Sequence, residues 1–314
     1  MERRKLLVKY TLIIFSTAIF IITGCKNSPT EPSSTEPTTD QDAMLKIADA
    51  DSAIASFDSN YNEDDAISFI GKSNTAIYPQ RVGLKVHIVN RTMSTDIMGD
   101  TAYATLTKTY EGVLLIAGSY DSTSTSKDTV ISKPFTSTIT RKLIFVKVAN
   151  TEFPLRNWKL AAISLPEGGT EHPNIELKKV TVFLPQGDTL IVSSPNEYFL
   201  ARWRGWWKHL PMILRNEPVK VQVELFSAFS EDDFVTLTCG ADLKGMHRAK
   251  YKFELVSSTP VAGGYDKVYE QTYNSHQFPG YYHAIINAFP RQVVFDDSAP
   301  VENEMWGIPY AVMF

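Results

Sequence analysis

Apolar residues recur at spacings of four and three from Ala43 through Ile47, Ala50, Ile54 and Phe57 to Tyr61, which predicts one amphipathic helix over 43–61. Asn62 is a suitable cap for a second, short helix. Glu63, Asp64 and Asp65 would place acids in its first turn, Ala66, Ile67 and Ile70 would form its apolar side, and Gly71 would end it. Two such helices cannot enclose a core, so they require a sheet to lie on.

The period then changes to two. Val82, Leu84, Val86 and Ile88 alternate with Gly83, Lys85 and His87, the pattern of a half-buried strand. Gly99-Asp100 supplies a turn, after which Ala102, Ala104 and Leu106 alternate with Tyr103, Thr105 and Thr107, and 112–116 continues or bends that ribbon. The stretch 121–128 is rich in Ser and Thr and has no apolar residue, so it reads as an exposed hairpin loop. Strands follow at 136–148 and 158–165, joined through Pro154. Glu167-Gly168-Gly169-Thr170-Glu171-His172-Pro173 then breaks the pattern and marks a domain boundary.

Beyond it come short strands. The stretches 175–184 and 188–193 flank the turn Pro185-Gln186-Gly187, and Val219, Val221, Val223 and Leu225 alternate cleanly with Lys220, Gln222 and Glu224. Further strands are expected at 234–239, 249–256, 267–273, 281–289 and 305–313. About eight short strands without helical periodicity argue a β-sandwich.

The start of the chain has a different pattern. Arg3, Arg4, Lys5 and Lys9 precede an uncharged run over 11–23, too short to span a bilayer comfortably and built like a secretory signal. The run ends in Ile22-Thr23-Gly24-Cys25, which resembles the lipobox of bacterial lipoproteins. The resemblance implies cleavage after Gly24 and a diacylglycerol thioether on Cys25, with an acylated new amino terminus. Two or three acyl chains would hold the protein firmly on a membrane. Lys26 follows, where the inner-membrane retention signal of enteric bacteria has an acid, which points to the outer membrane. The stretch 26–42 has no aliphatic or aromatic residue at all, and reads as a disordered tether stiffened by three prolines. The expected organisation is therefore a signal at 1–24, a tether at 25–42, an α+β domain at 43–167 and an all-β domain at 172–314 carrying a Trp-rich insertion at 195–217.

Two further resemblances concern the folded parts. The two expected helices, then Gly99-Asp100-Thr101-Ala102, Arg141-Lys142-Leu143-Ile144-Phe145-Val146-Lys147 and Trp158-Lys159-Leu160-Ala161-Ala162-Ile163, resemble the cadence of the cone-shaped fold of nuclear transport factor two and ketosteroid isomerase. That likeness implies helices on a curved antiparallel sheet around a pocket, which Tyr61, Tyr78, His87, Tyr103 and Tyr110 could line. No catalytic motif of that family is present to carry over. Gly280-Tyr281-Tyr282-His283-Ala284-Ile285-Ile286-Asn287-Ala288 resembles the penultimate strand of bacterial immunoglobulin-like and fibronectin-like modules, although no inter-sheet cysteine pair accompanies it.

Composition narrows the chemistry. Hydrophobic residues make up 43% and charged residues 21%, as in a globular protein. Without the signal, 27 basic residues face 34 acidic ones, a charge of −7, which argues against nucleic acid as a partner. If Cys25 is lipidated, Cys239 has no partner, and its strand context suits a buried apolar thiol. His87, His172, His209, His247, His276 and His283 show no metal-ligand spacing, so neither metal nor cofactor is expected. Asp232-Asp233 and Asp296-Asp297 read as solvated loop acids rather than a calcium site. Arg202-Trp203-Arg204-Gly205-Trp206-Trp207 holds three of the five tryptophans. A helix capped by Asn196 would set Phe199, Trp203, Trp206 or Trp207, and Leu210 on one face. It would serve as a lid, as a binding surface for a sugar or peptide through Trp203, Trp206, Trp207, Arg202 and Arg204, or as a headgroup contact.

The reading is a lipid-anchored, extracytoplasmic envelope protein with a binding or scaffolding role toward a protein or carbohydrate partner. An isomerase or lyase working in the N-terminal pocket is the alternative. No acid stands with a base or oxyanion partner at recognisable spacing, which favours the binding protein.

Overall fold

The Thr39 hydroxyl accepts the Asp42 amide at 3.1 Å and opens α1 (Asp40–Asp49). The single helix expected over 43–61 breaks just after it. Asp51 adopts an extended backbone and its carboxylate accepts from the amides of Ala53 and Ile54, which starts a second helix, α2 (Ser52–Tyr61). Ala50, at the break, is exposed, while α1 buries Ala43, Met44 and Ala48 and α2 buries Ile54, Phe57 and Tyr61.

The computed structural model describes residues 36–63, 67–68, 77–121, 129–171, 173–203, 206–239 and 249–314, with Ile67, Ser68, Trp203, Trp206 and Trp207 by backbone alone. Strands follow in the order β1 (Ile67–Ser68), β2 (Tyr78–Met98), β3 (Thr101–Ser119) and β4 (Thr129–Lys147). A short helix α3 (Pro154–Asn157) leads to β5 (Trp158–Ser164), β6 (Glu167–Gly169), β7 (Ile175–Phe183) and β8 (Thr189–Val192). Then come β9 (Phe199–Trp203), β10 (Trp206–Lys208), β11 (Met212–Leu214), β12 (Pro218–Ser227) and β13 (Phe234–Cys239). The chain closes with β14 (Ala249–Lys252), β15 (Glu254–Val261), β16 (Gly264–Asn274), β17 (Gly280–Phe289), α4 (Arg291–Phe295) and β18 (Glu304–Met313).

The protein is mostly β, in two sheets that are antiparallel apart from the pairing of β11 with β18. One sheet has the path β1-β2-β3-β4-β6-β18-β17-β13-β14, with β5 also on β4 and β9 on β5; the other runs β15-β16-β12-β7-β8. Gly99, at φ +61°, and Asp100 turn β2 into β3, as the sequence suggests. Two helical expectations fail. Asn62 ends α2, and its Oδ1 accepts the Val86 amide while the Glu63 amide donates to the Leu84 carbonyl, so 62–63 run along β2. Most of the remaining stretch expected as that helix lies outside the described residues, as does 122–128. The helix expected from Asn196 is instead a 3-10 turn, Pro195–Glu197, followed by the hairpin β9–β10, in which Trp206 pairs with Trp203.

The place expected to divide two domains is occupied by β6. Glu167, Gly168 and Gly169 pair with Thr140, Ile139 and Thr138 of β4 on one side and with Trp306, Met305 and Glu304 of β18 on the other. Residues on both sides of 167–172 therefore share one sheet. A Cβ on Gly168 would stand 1.9 Å from the Thr138 carbonyl oxygen, and one on Gly169 2.1 Å from that of Asn303. Only glycine permits both approaches.

The alternation along β17 sets what lies on each face. Ile285 and Phe289 pack with Phe57 and Tyr61 of α2 and with Val293 to Phe295 of α4. Ala284, Ile286 and Ala288 pack with Val180, Val182, Val221 and Val223 of the five-stranded sheet. Between the two sheets lies a fully buried ion pair: Lys267 Nζ stands 2.9 Å from Asp233 Oδ2, and Asp233 also accepts from Ser227 Oγ and Tyr269 Oη. Asp233 is thus a core group rather than the solvated loop acid read from the sequence.

Replacing Gly168 with alanine is expected to lower the free energy of unfolding by about 3 kcal/mol, because backbone on a paired strand has to move. Urea denaturation checks this. A change under about 0.5 kcal/mol would mean that β6 is not held against β4 as described.

Candidate functional site

Strand β3 turns Ala102, Ala104, Leu106, Lys108 and Tyr110 to the side on which α1 and α2 lie, and β4 turns Ile139, Arg141 and Leu143 the same way. Two inward positions are thus cationic. Asp58 on α2 meets one of them: its Oδ2 is 2.6 Å from Lys108 Nζ, and its Oδ1 accepts the Tyr110 hydroxyl at 2.5 Å. Burial and the adjoining Asp58 carboxylate hold the Tyr110 phenol well above its ordinary pKa, so it stays a donor.

Arg141 is 4% exposed. Its Nη1 donates to the Ala53 carbonyl over a long 3.4 Å, its guanidinium lies 5.9 Å from the Phe57 ring centre, and its Nη2 has no hydrogen-bond partner. Burial pulls its pKa down to about 10 against the opposing charges of Asp58 and Asp51. Beside it on β17, His283 shares a hydrogen bond of 2.8 Å between Nδ1 and Ser56 Oγ, and its Nε2 is unpartnered. Burial, then the charge of Arg141, push the imidazole well below its ordinary pKa, so it is neutral. The cavity bounded by Asp58, Lys108, Tyr110, Arg141, Leu106 and Pro166 holds about 20 Å³, the room one water needs.

Of the five residues expected to line a pocket, Tyr61 and Tyr110 do come together, with ring centres 5.1 Å apart and the Tyr61 hydroxyl 2.9 Å from Ser137 Oγ. The others do not join them. Tyr103 faces the opposite side of β3 and is 50% exposed, His87 is exposed beside Lys85 and Glu111, and Tyr78 sits at the start of β2 opposite Ser119. The residues missed by sequence reasoning are Asp58, Lys108, Arg141 and His283. The signal for two of them was parity: Lys108 and Arg141 fall in register with Leu106 and Ile139, at positions where a buried strand carries apolar residues.

The remaining candidate residues are scattered. Cys25 and Gly24 lie outside the described residues, as do Arg204 and the side chains of Trp203, Trp206 and Trp207. Arg202 is tied at 2.7 Å to Asp51, the buried cap of α2, which fixes the β9–β10 hairpin to the helices. Cys239 is buried, and burial raises its thiol to about 12, the behaviour of a packing residue rather than a nucleophile. No group of three or more metal-binding side chains occurs among the described residues.

A second concavity opens beside β6, with about 660 Å³ between Thr138, Glu167, Glu171, Glu176 and Glu304. Glu304 accepts from the Leu177 amide at 2.8 Å and from Trp306 Nε1 at 3.1 Å. Burial nevertheless raises its pKa to about 7, with repulsion from Glu176 and Glu167 adding to the rise. Glu167 is also raised by burial, against the hydrogen bond it accepts from Asn196 Nδ2.

No protein-family model matches the chain, and no curated protein or solved structure matches it.

Folded Glu304 keeps its proton up to about pH 7, against an ordinary value of 4.5. Between those values the folded state binds more protons than the unfolded one, so stability falls as pH rises through that window. The loss is expected to reach at most roughly 3 kcal/mol. Glu304→Gln should flatten the decline in thermal melts recorded from pH 4.5 to 8. Parallel profiles for the two proteins would show that Glu304 titrates normally.

Proposed function

We propose that this protein is a lipid-anchored, extracytoplasmic envelope protein with a binding role and no catalytic one. The observation that carries the reading is Ile22-Thr23-Gly24-Cys25, set between a basic and apolar leader and the apolar-free stretch 26–42. Cys25 takes the lipid, the apolar-free stretch from 26 up to the Thr39 cap of α1 is the tether, and the outer membrane is the favoured address. The body is read as helices on a curved, cone-like sheet continuing into an immunoglobulin-like sandwich. Supporting this are α1 and α2 on one face of β2 to β5, and the packing of β17 and β18 against β7 and β12.

The binding role is favoured over an isomerase or lyase by the small size of the cavity under α2 and by the engagement of Asp58, the carboxylate beside it. Asp58 has the groups an acid–base site would need nearby, but both its oxygens are engaged and the adjoining space is that of a water molecule. The groove beside β6 has the room that this cavity lacks. A protein or carbohydrate partner could also meet the β9–β10 hairpin, where three tryptophans fall in two short strands.

Anchoring is tested by replacing Cys25 with alanine in cells fed a labelled fatty acid. The native chain should take up label and partition with the membranes, and C25A should do neither. Label retained in C25A, or a native chain recovered unlabelled in the soluble fraction, would overturn the anchor.

A further inference from the structure

The charges beneath α2 do not balance. Asp58 is taken by Lys108 and Tyr110, and Asp51 by Arg202 and the amides that it caps. Lys108, Arg202 and Arg141 are three cations against these two carboxylates, and the one left over is the guanidinium in the driest place. A buried charge without a direct counter-ion is costly, and proteins neutralise such groups by pairing them. His283, the nearest titratable neighbour on β17, is neutral and offers no negative charge.

Arg141 also forms part of the wall of the 20 Å³ cavity, with an unpartnered Nη2. A water there would accept that hydrogen bond but leave the charge uncompensated. We propose that this cavity is a binding site for a small monovalent anion of halide size, held by Arg141 Nη2 with Lys108 at the mouth and enclosed by Leu106, Ile139 and Pro166. The space admits a particle little larger than water, so a tetrahedral oxyanion such as sulfate is excluded by size. Exchange with solvent runs past the Asp58–Lys108 pair, whose side chains are 24% and 10% exposed. Chloride is the halide that biological fluids hold in quantity. The site goes beyond the proposed role of the protein and does not depend on it.

The test is thermal unfolding of the full chain in detergent, with chloride raised a hundred-fold and ionic strength held constant by sodium sulfate. The melting temperature is expected to rise by about 5 °C, as for a ligand of roughly millimolar affinity. Bromide should act in place of chloride, and Arg141→Met should abolish the response. Should R141M fail to fold, the native protein crystallised from bromide decides the matter, since an anomalous peak is expected within hydrogen-bonding reach of Arg141. Equal melting in chloride and sulfate, or a water at that position in the bromide crystal, would overturn the proposal.

Discussion

Beside Gly168 and Gly169 the backbones of β4 and β18 come closer to a third strand than any side chain would allow. That approach lets three residues hydrogen-bond on both sides at once, to Thr138–Thr140 and to Glu304–Trp306. Without it the path from β4 to β18 would be interrupted, and the four strands before it would present an open edge where the next four now follow. Strand edges are reactive toward further pairing, so a protein of this kind has reason to close them. The residues at the junction share its constraint. The Gly307 amide donates to the Pro166 carbonyl, and a Cβ on Gly307 would meet the Pro166 ring and Phe57. A substitution there would thus press on α2 as well as on the strand.

Because β17 follows β18 in the same sheet, its alternating residues serve two cores. His283, Ile285 and Phe289 meet the helices, and Ala284, Ile286 and Ala288 meet the second sheet. The polar groups on these faces differ in kind. Lys267 and Asp233, between the sheets, form a pair with every carboxylate oxygen engaged, the arrangement in which a buried ion pair costs least. Glu63 is similarly satisfied by Lys250 at 2.6 Å, with a short hydrogen bond from Thr238, which pins the end of α2 to β13 and β14. Arg141 and His283 differ, with unpartnered nitrogens in the same neighbourhood. Saturated pairs specify how layers meet, whereas an unsaturated donor beside a void is a place for something to enter.

The strands were legible because their information is local. Val219, Val221, Val223 and Leu225 are buried in the strand where their alternation put them, and Gly99-Asp100 forms the expected turn. The helix over 43–61 was half legible: the apolar spacing is real on each side, but Asp51 is itself the cap that divides it, and a spacing rule that skips polar residues passes over a cap. The Trp-rich segment misled for the same reason. Phe199, Trp203, Trp206 and Leu210 fall at helical intervals, yet Leu200 is buried against β5 opposite Ile163, so pairing with an existing sheet overrode the spacing. The continuity through β6 left no local trace at all, since Gly-Gly reads as a break and its partners lie at 138–140 and 304–306. The polar site was hidden likewise: Asp58, Lys108, Arg141 and His283 come from four separate elements.

The tether bears on which surface a partner would meet. If Cys25 is the anchor, 13 residues at 26–38 separate it from the Thr39 cap of α1. Extended as a Pro-containing chain, such a stretch would reach about 40 Å. Electrostatic contact with headgroups fades within about 8 Å at physiological salt. A mature chain of charge −7 would gain nothing by lying on an anionic leaflet. On such an anchor the membrane would set how far the body travels but not which way it faces, and the groove beside β6 and the β9–β10 hairpin would be equally free to meet a partner. A headgroup role for the tryptophans would need local attraction to overcome that repulsion, and Arg202, next to Trp203, already pairs with Asp51.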